Sequence, residues 1–598
     1  MVKVQKPGYT CLYRFKLKIM NKILVLIILL SFSGIDLQAQ QPVLKKKGDA
    51  TQLYVDGKPM LMLAGELGNS SSSSEAYLKD VWPGLKALNY NTILAAVTWE
   101  MIEPEEGVFD FSSVDHLIRS ARQYDLKLVL LWFASWKNAA STYIPLWVKK
   151  DYHRFPRAED ASGKPVEILS AVSEENMKAD ARAFRSLMKH IAQVDETEHT
   201  VLMMQIENEP GILNTPRDYS PEAEALFNGP IPEDLAQYLK KNKNNLSRDL
   251  AKVWSANGSK TKGTWEEVFG ESKIGGWSHT GEFDWHDMYY YTEELFMGYY
   301  YARYMGYVAA QGKKEYDIPM YANAWLKGPD YGWSGMHPGG GPLPSVMDMY
   351  RCAGPAIDIL SPDIYVPHFT EIVEWYDQLG NPLFIPETRG GELGVSRLLW
   401  CLGEHNLMGF SPFGIDRSAR TGLAGAQADP LAQAYKLIDG MQDIILEYQG
   451  TDKIRGFFVD NDNPEQSFVL GEYIVTADLM RPRTYASMGA PAPAGVRNVP
   501  EATSGGGFII LLPGGEYMVM ARNVNVRFAP AQPGNLPYIG LGTLSEGVFE
   551  NGEWIQGRVL NGDQIHGSIF TGTGLKMNTL GIQRVTLYRY GNRDIKRR

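Results

Sequence analysis

Between residue 52 and about residue 450, apolar runs of strand length alternate with helix-length amphipathic stretches, and this alternation constrains the fold more than any other feature of the chain. Eight runs have strand character: Leu61–Gly65, Thr92–Thr98, Lys127–Phe133, Thr200–Ile206, Ile318–Ala324, Ile357–Ile364, Pro382–Pro386 and Asn406–Pro412. Helical patterns such as Val114–Tyr124, Lys178–Gln193, Tyr289–Gln311 and Leu431–Tyr448 fall between or after them. Eight strands separated by helices predict an α/β chain, a (β/α)8 TIM barrel. An open doubly wound sheet would carry a Gly-rich phosphate loop after its first strand. Here Gly65-Glu66-Leu67-Gly68 runs into a row of serines, and no Walker or dinucleotide fingerprint fits. Ahead of the first strand, Gln52–Val55, Asp56-Gly57 and Pro59–Leu63 predict a hairpin.

The fourth and fifth runs are separated by more than the usual loop, with an insertion at about 212–290 that holds Trp254, Trp265, Trp277, Phe283 and Trp285. Loops of such length are functional or form a subdomain, and one that follows a barrel strand belongs over the active-site face. After about residue 455 short strands and turns take over: Phe508–Leu512, Tyr517–Ala521, Gly557–Leu560 and Gln583–Tyr590, with a linker-like Ala-Pro stretch at 490–495. The expected organisation is a targeting segment over 1–39, a barrel over 40–455 and a β-sandwich-like accessory domain over 456–598.

Ile23–Leu30 is apolar, follows Lys16, Lys18 and Lys22, and leads to Leu37-Gln38-Ala39-Gln40, the pattern of a signal peptide cleaved after Ala39. Met20 would begin a normal leader, so the residues before it read as an upstream start. The run is short for a membrane span, and the chain is expected to be secreted or periplasmic, with no membrane insertion after cleavage. Asp plus Glu number 69 against 59 Lys plus Arg, which argues against nucleic acid as a partner. Cys352 and Cys401 lie in separate apolar stretches and read as buried free thiols, although a single disulfide is also compatible, and Cys11 leaves with the leader. The histidines show no metal-ligand spacing. Asp460-Asn461-Asp462-Asn463 resembles a calcium loop but lacks its Gly and terminal Glu, and Pro464 interrupts it, so a polar turn is expected.

Two predicted strands end in carboxylates at the barrel face where substrates bind. The fourth runs Gln205-Ile206-Glu207-Asn208-Glu209-Pro210-Gly211 and the seventh runs Phe384-Ile385-Pro386-Glu387. Hydrolysis of a glycosidic bond needs one carboxyl to protonate the leaving oxygen and another to attack or stabilise the anomeric carbon. A lone strand-end Glu is more often an ion-pair partner or a helix cap. Two of them, in an eight-strand pattern, point to a carbohydrate substrate.

The first of these segments resembles the Gln-Ile-Glu-Asn-Glu-Tyr-Gly motif of glycoside hydrolase family 35, β-galactosidases with clan A barrels, with family 42 as the nearest competitor. Trp99, Glu103-Pro104, Gly107 and Phe109-Asp110-Phe111 resemble the family's second-strand signature, and Ala134-Ser135-Trp136 with Ile144-Pro145-Leu146-Trp147 its third. The β-rich C-terminal region resembles the accessory domain of secreted Bacteroidetes-type members. The resemblance implies a secreted retaining exo-β-glycosidase, a β-galactosidase first of all, that needs no cofactor and no metal. Glu209 would be the acid/base, with Glu207 its rival, and Glu387 the nucleophile. Asn208 would bind the sugar 2-hydroxyl, Tyr365 would donate to the nucleophile, and Glu66 would make a polar contact from the first strand or sit in a buried ion pair. Trp99, Trp132, Trp136 and Trp325 are candidate platforms for sugar faces. The family's third-strand Glu is Ser135 here, and its second-strand Asn and following His are Glu100 and Ile102, so the hydrolytic pair is better marked than galactose specificity. An arabinosidase, a β-glucosidase or a noncatalytic glycan-binding barrel are the other readings.

Overall fold

Val, Ile, Leu and Ala fill the predicted runs on both faces, as buried parallel strands require, and in the computed structural model these runs are the staves of a closed barrel. The structure describes Met1 and residues 40–274, 289–328, 332–421, 425, 427–480, 503–565 and 574–591. Strands β1 (Val43–Lys47), β2 (Ala50–Val55) and β3 (Lys58–Met60) form a small antiparallel sheet, turned at Asp56-Gly57 where both residues have positive φ. The barrel strands are β4 (Met62–Glu66), β5 (Thr92–Thr98), β6 (Lys127–Lys137), β9 (Val201–Asn208), β10 (Met320–Trp325), β11 (Ile359–Ile364), β12 (Phe384–Thr388) and β13 (Gly409–Pro412), and β13 pairs with β4 to close the ring. Strands β7 (Arg157–Glu159) and β8 (Pro165–Leu169) form a separate hairpin.

Alternate residues divide between two cores. Leu94 and Ala96, Val129, Leu131 and Phe133, Leu202, Tyr321, Phe384 and Met408 fill the barrel interior, and Leu53 and Val55 of β2 join this inner core. Ile93, Ala95 and Val97 or Leu128, Leu130 and Trp132 pack outward with the surrounding helices, among them Ser112–Gln123, Glu174–Asp195, Tyr291–Lys313 and Pro430–Tyr448. Among the described residues, the insertion after β9 contains four short helices, Pro221–Phe227, Glu233–Lys241, Arg248–Ala256 and Trp265–Phe269. Its Trp254 and Trp265 are buried core residues, with Trp265 edge-on to Phe296. Trp277, Phe283 and Trp285 lie outside the described residues.

The C-terminal strands β14 (Ile454–Asp460), β17 (Ser504–Leu511), β18 (Glu516–Arg522), β20 (Tyr538–Glu550), β21 (Glu553–Val559) and β23 (Gly581–Tyr590) form one sheet. A second contains β15 (Glu465–Leu470), β16 (Tyr473–Leu479), β19 (Val524–Pro530) and β22 (Gly574–Met577). Phe457, Val459, Tyr517 and Val519 of the first sheet share a core with Phe468, Val475, Val526 and Leu575 of the second, the arrangement of a β-sandwich. The outer face of the first sheet is covered by helix Gly391–Glu404, which follows the strand that carries Glu387. Gly456 and Gly506 let the two backbones meet. A Cβ at Gly456 would lie 2.3 Å from the Trp400 carbonyl oxygen, and one at Gly506 2.4 Å from that of Ser396. Residues 41–598 cluster as one compact unit, so sandwich and barrel are joined.

Asp460 Oδ1 accepts the amides of Asp462 and Asn463, which makes the Asp-Asn-Asp-Asn segment a polar turn. Cys352 and Cys401 are free thiols. The linker-like stretch at 490–495 and the targeting segment lie outside the described residues, among which no helix is long and apolar enough to cross a membrane.

Candidate active site

β6, β9, β10, β11 and β12 converge at their C-terminal ends on a group of buried polar side chains. β6 and β9 lose simple register here: Trp132 stands opposite Ile206, but Lys137 stands opposite Asn208. Glu207 and Glu209 both have positive φ, 59° and 45°. The left-handed region costs a non-glycine residue about 1–2 kcal/mol, so neighbouring contacts must hold the end of β9. The Glu207 carboxylate accepts the Trp136 amide at 2.7 Å, and the Glu209 amide donates to Asn323 Oδ1 at 3.0 Å.

The bend separates the two glutamates. Glu207 is fully buried and its carboxyl lies beside that of Asp180 on helix Glu174–Asp195. Asp180 also takes Trp132 Nε1 at 2.9 Å and the Ser135 hydroxyl at 2.6 Å, while the Tyr304 hydroxyl lies 2.7 Å from that of Ser135. Burial, then the neighbouring Asp180, drives the Glu207 carboxyl well above the usual range, and burial also raises Asp180. Two carboxyls in such contact share a proton rather than ionise together. Glu207 belongs to the supporting structure.

Glu209 faces a different set of groups. Burial and the charge of Glu387 raise its pKa to about 7, opposed by Lys137 and a hydrogen bond with Asp363. Asp363 ends β11, opposite Glu387 in register, and accepts Asn323 Nδ2 at 2.6 Å. Burial raises it strongly, with Glu387, Glu209 and Glu66 adding to the effect. The Tyr365 hydroxyl donates to Glu387 Oε1 at 2.6 Å. Burial, then the Glu387 charge, raises the Tyr365 phenol, so it remains a donor. Glu66, at the end of β4, is 1% exposed and also shifted upward, by burial first and then by Glu387, with Lys137 opposing.

Lys137 brings a cation to this group. It is buried, donates to Asn208 Oδ1 at 2.8 Å, and lowers the pKa of Glu66, Glu209 and Asp363. Three enclosed polar atoms, Glu66 Oε1, Asn208 Nδ2 and Glu387 Oε2, have no hydrogen-bond partner among the described residues. Buried polar groups are rarely left so, and their convergence marks where a hydroxyl-rich ligand would be held.

Of the residues expected from sequence, Glu66, Asn208, Glu209, Tyr365 and Glu387 thus meet at one end of the barrel. Trp325 is half-buried at the end of β10, opposite Asp363 in register. The expected roles of Trp99, Trp132 and Trp136 as sugar platforms need correction, because all three are fully buried and present no face to a ligand. Trp99 Nε1 donates to Glu103 Oε2 at 2.9 Å, and the same carboxylate takes the Gly107 amide and Arg182. The Trp…Glu-Pro…Gly signature is therefore a hydrogen-bonded loop closure. Trp136 packs on Tyr301 and Tyr304. Ser135 also points away from the site, towards Asp180. Lys137, Asp363 and Asn323 were not expected. Each is a single polar residue in an apolar strand end, and Asp363 lies two positions before Tyr365, which was the available signal.

Comparison with known proteins gives two family matches. Residues 74–296 match the glycoside hydrolase family 42 model described as "Beta-galactosidase", and residues 431–572 match a model described as "Domain of unknown function (DUF5597)". Glu209 lies inside the first match and Glu387 beyond it. A "Beta-galactosidase" of Xanthomonas manihotis is 27% identical over 184 residues, 30% of this chain and 28% of its own. "Beta-galactosidase 13" of Arabidopsis thaliana is 26% identical over 204 residues, 31% of this chain and 22% of its own. The chain thus spans under a third of the length of these curated relatives. Among solved structures, the β-galactosidase of Bacillus circulans sp. alkalophilus aligns over 65% of this chain and 57% of its own, at 16% identity and a TM-score of 0.43. The β-amylase catalytic domain of Paenibacillus polymyxa aligns over 62% of this chain and 98% of its own, at 14% identity and a TM-score of 0.41. The segment over 74–296 is family 42-like, one of the two families that the Glu-Asn-Glu motif brings to mind, and it is followed by a DUF5597 segment.

Proposed function

We propose that this protein is a secreted retaining exo-β-glycosidase, a β-galactosidase first of all, that acts on oligo- or polysaccharides by double displacement. The observation that carries the reading is the pairing of Glu209 and Glu387, on different barrel strands, with Glu209 raised to about 7 partly by the charge of Glu387. A general acid must hold its proton at the working pH while its partner carboxylate is free to attack. Glu209 protonates the leaving oxygen as Glu387, oriented by Tyr365, attacks the anomeric carbon. Once the glycosyl-enzyme forms, the Glu387 charge is consumed and the Glu209 pKa falls. Glu209 then serves as the base that activates water, which cleaves the ester with a second inversion. Asn208, whose Oδ1 takes Lys137, holds a ring hydroxyl in this reading through Nδ2, which has no partner among the described residues.

The family 42 match and the two curated relatives support β-galactoside specificity. Purified protein assayed on a panel of 4-nitrophenyl glycosides tests the reading. β-Galactoside turnover with net retention in the early product is expected, and turnover of an α-L-arabinoside or β-glucoside alone would replace the specificity. The leader pattern at 1–39 supports export, which predicts that the protein recovered from its producing cell begins at Gln40.

A further inference from the structure

The end of β11 carries Asp363 and, just past the strand, Tyr365, and the proposed mechanism uses only the second. We infer that Asp363 is a positioning residue for the acid/base: it fixes the bent end of β9 through Asn323 and donates a hydrogen bond to the Glu209 carboxyl as that group loses its proton. The inference rests on the acid/base reading of Glu209 above and adds a residue to it.

Geometry is the first argument. Asp363 is 3% exposed and Asn323 fully buried. Residues two apart at a strand end share a face, so Asp363 and Tyr365 both look into the site. Tyr365 serves Glu387, to which its hydroxyl donates at 2.6 Å. Asp363 leans the other way, towards β10 and β9. Its Oδ2 accepts Asn323 Nδ2 at 2.6 Å, and Asn323 Oδ1 accepts the Glu209 amide at 3.0 Å. A carboxamide offers donors at one end and an acceptor at the other. By taking Nδ2, Asp363 turns Oδ1 to the Glu209 amide; the flipped amide would set donor against donor. Glu209 has a φ of 45°, a conformation that a non-glycine residue keeps only where contacts hold it. Asp363 thus decides the orientation of the group that holds Glu209.

Charge is the second. The Asp363 carboxyl lies beside that of Glu209. The charged groups around this pair are Glu387 from β12, Glu66 from β4 and Lys137 from β6. Burial first, then the neighbouring carboxylates, holds Asp363 well above the usual carboxyl range, so it keeps a proton. Asn323 engages Oδ2, which leaves Oδ1 to carry that proton. As the glycosidic bond breaks, the leaving oxygen keeps the electron pair and takes the proton of Glu209. Negative charge then grows on the Glu209 carboxyl, where a neutral donor stabilises it. Asp363 keeps its own proton throughout. In the second half of the reaction the same bond holds the Glu209 carboxylate in place as it takes a proton from water.

Two substrates and two kinds of replacement test this. Lactose has a poor leaving group and needs the acid; 2,4-dinitrophenyl β-galactoside hardly does. Asp363→Ala removes the donor, and Asp363→Leu does so while filling the space, should the alanine variant fail to fold. Either is expected to lower kcat/KM for lactose at least about tenfold and for the dinitrophenyl substrate by no more than about threefold. The alkaline limb of the lactose profile is expected to move up by about half a unit to one unit. Asp363→Asn keeps both bonds, with Oδ1 for Asn323 and Nδ2 for Glu209, and is expected to restore the limb and most of the lactose rate. Equal slowing of both substrates with an unmoved limb would show a merely structural role and overturn the inference. An asparagine variant no better than the alanine or leucine one would overturn it as well. Glu209→Ala, assayed beside them, separates the two readings: if it slows both substrates alike, or if the wild-type protein turns over neither, the acid/base reading falls and the inference with it.

Discussion

Glu209 and Glu387 sit in one buried group of carboxyls, and the proposed function gives them different work that follows from their neighbours. Glu209 is at 6% exposure, and its pKa of about 7 leaves it largely protonated in mildly acidic medium. Glu209→Ala should therefore slow disaccharides by several orders of magnitude and activated aryl glycosides far less, because protonation matters most for poor leaving groups. The same pattern from Glu207→Ala instead would transfer the role. The alkaline limb of kcat/KM should fall near the pKa of Glu209. Lys137 lowers that pKa, so Lys137→Met should move the limb up by about one unit, and a pH profile with an unmoved limb would detach Lys137 from the acid. Stability follows the same titration. The folded pKa lies above the unfolded one, so Glu209 favours folding at low pH, and that contribution is lost as pH rises through 7. Glu209→Gln removes the ionised form, so it should raise the unfolding free energy at pH 8 by at most about 3 kcal/mol, with a matching rise in melting temperature, but hardly change either at pH 4. An equal shift at both pH values would contradict the account.

At the scale of elements, the sequence showed the barrel clearly and the site only in part. The parallel strands are buried on both faces and flanked by breakers, so β5 begins and ends where the apolar run does, and the others differ by a few residues at their ends. The end of β9 was less legible. Alternation with a period of two places Glu207 and Glu209 on one face, yet positive φ at both and the shifted register against β6 send Glu207 towards Asp180. For the same reason Lys137, rather than Ser135, represents β6 in the site. Tryptophans at strand ends carry no mark of direction, which is why Trp99 and Trp136 resembled platforms before their burial was known. The close approach of helix Gly391–Glu404 to the sandwich gives a further prediction. Gly456→Val should cost about 1–3 kcal/mol through overpacking against Trp400, read as a lower urea midpoint, and an unchanged midpoint would show that the two elements part easily.

Across the whole molecule, the sandwich is built onto the helix that follows the proposed nucleophile strand, so the barrel and the C-terminal domain are expected to fold as one body. Phe508, Met518 and Met520 of the sandwich belong to the same buried cluster as the barrel helices. A chain truncated after residue 453 should lose its cooperative unfolding transition, and a truncated barrel that melts like the whole protein would refute that dependence. The central claim is that Glu387 attacks the sugar. It is tested most directly by incubating the protein with a 2-deoxy-2-fluoro-β-galactosyl fluoride, which forms the glycosyl-enzyme but hydrolyses it slowly, and locating the label by peptide mass spectrometry. The account predicts a single fluorogalactosyl ester on Glu387, formed as activity is lost. Label on another carboxylate, or full activity on β-galactosides with no label at all, would contradict it.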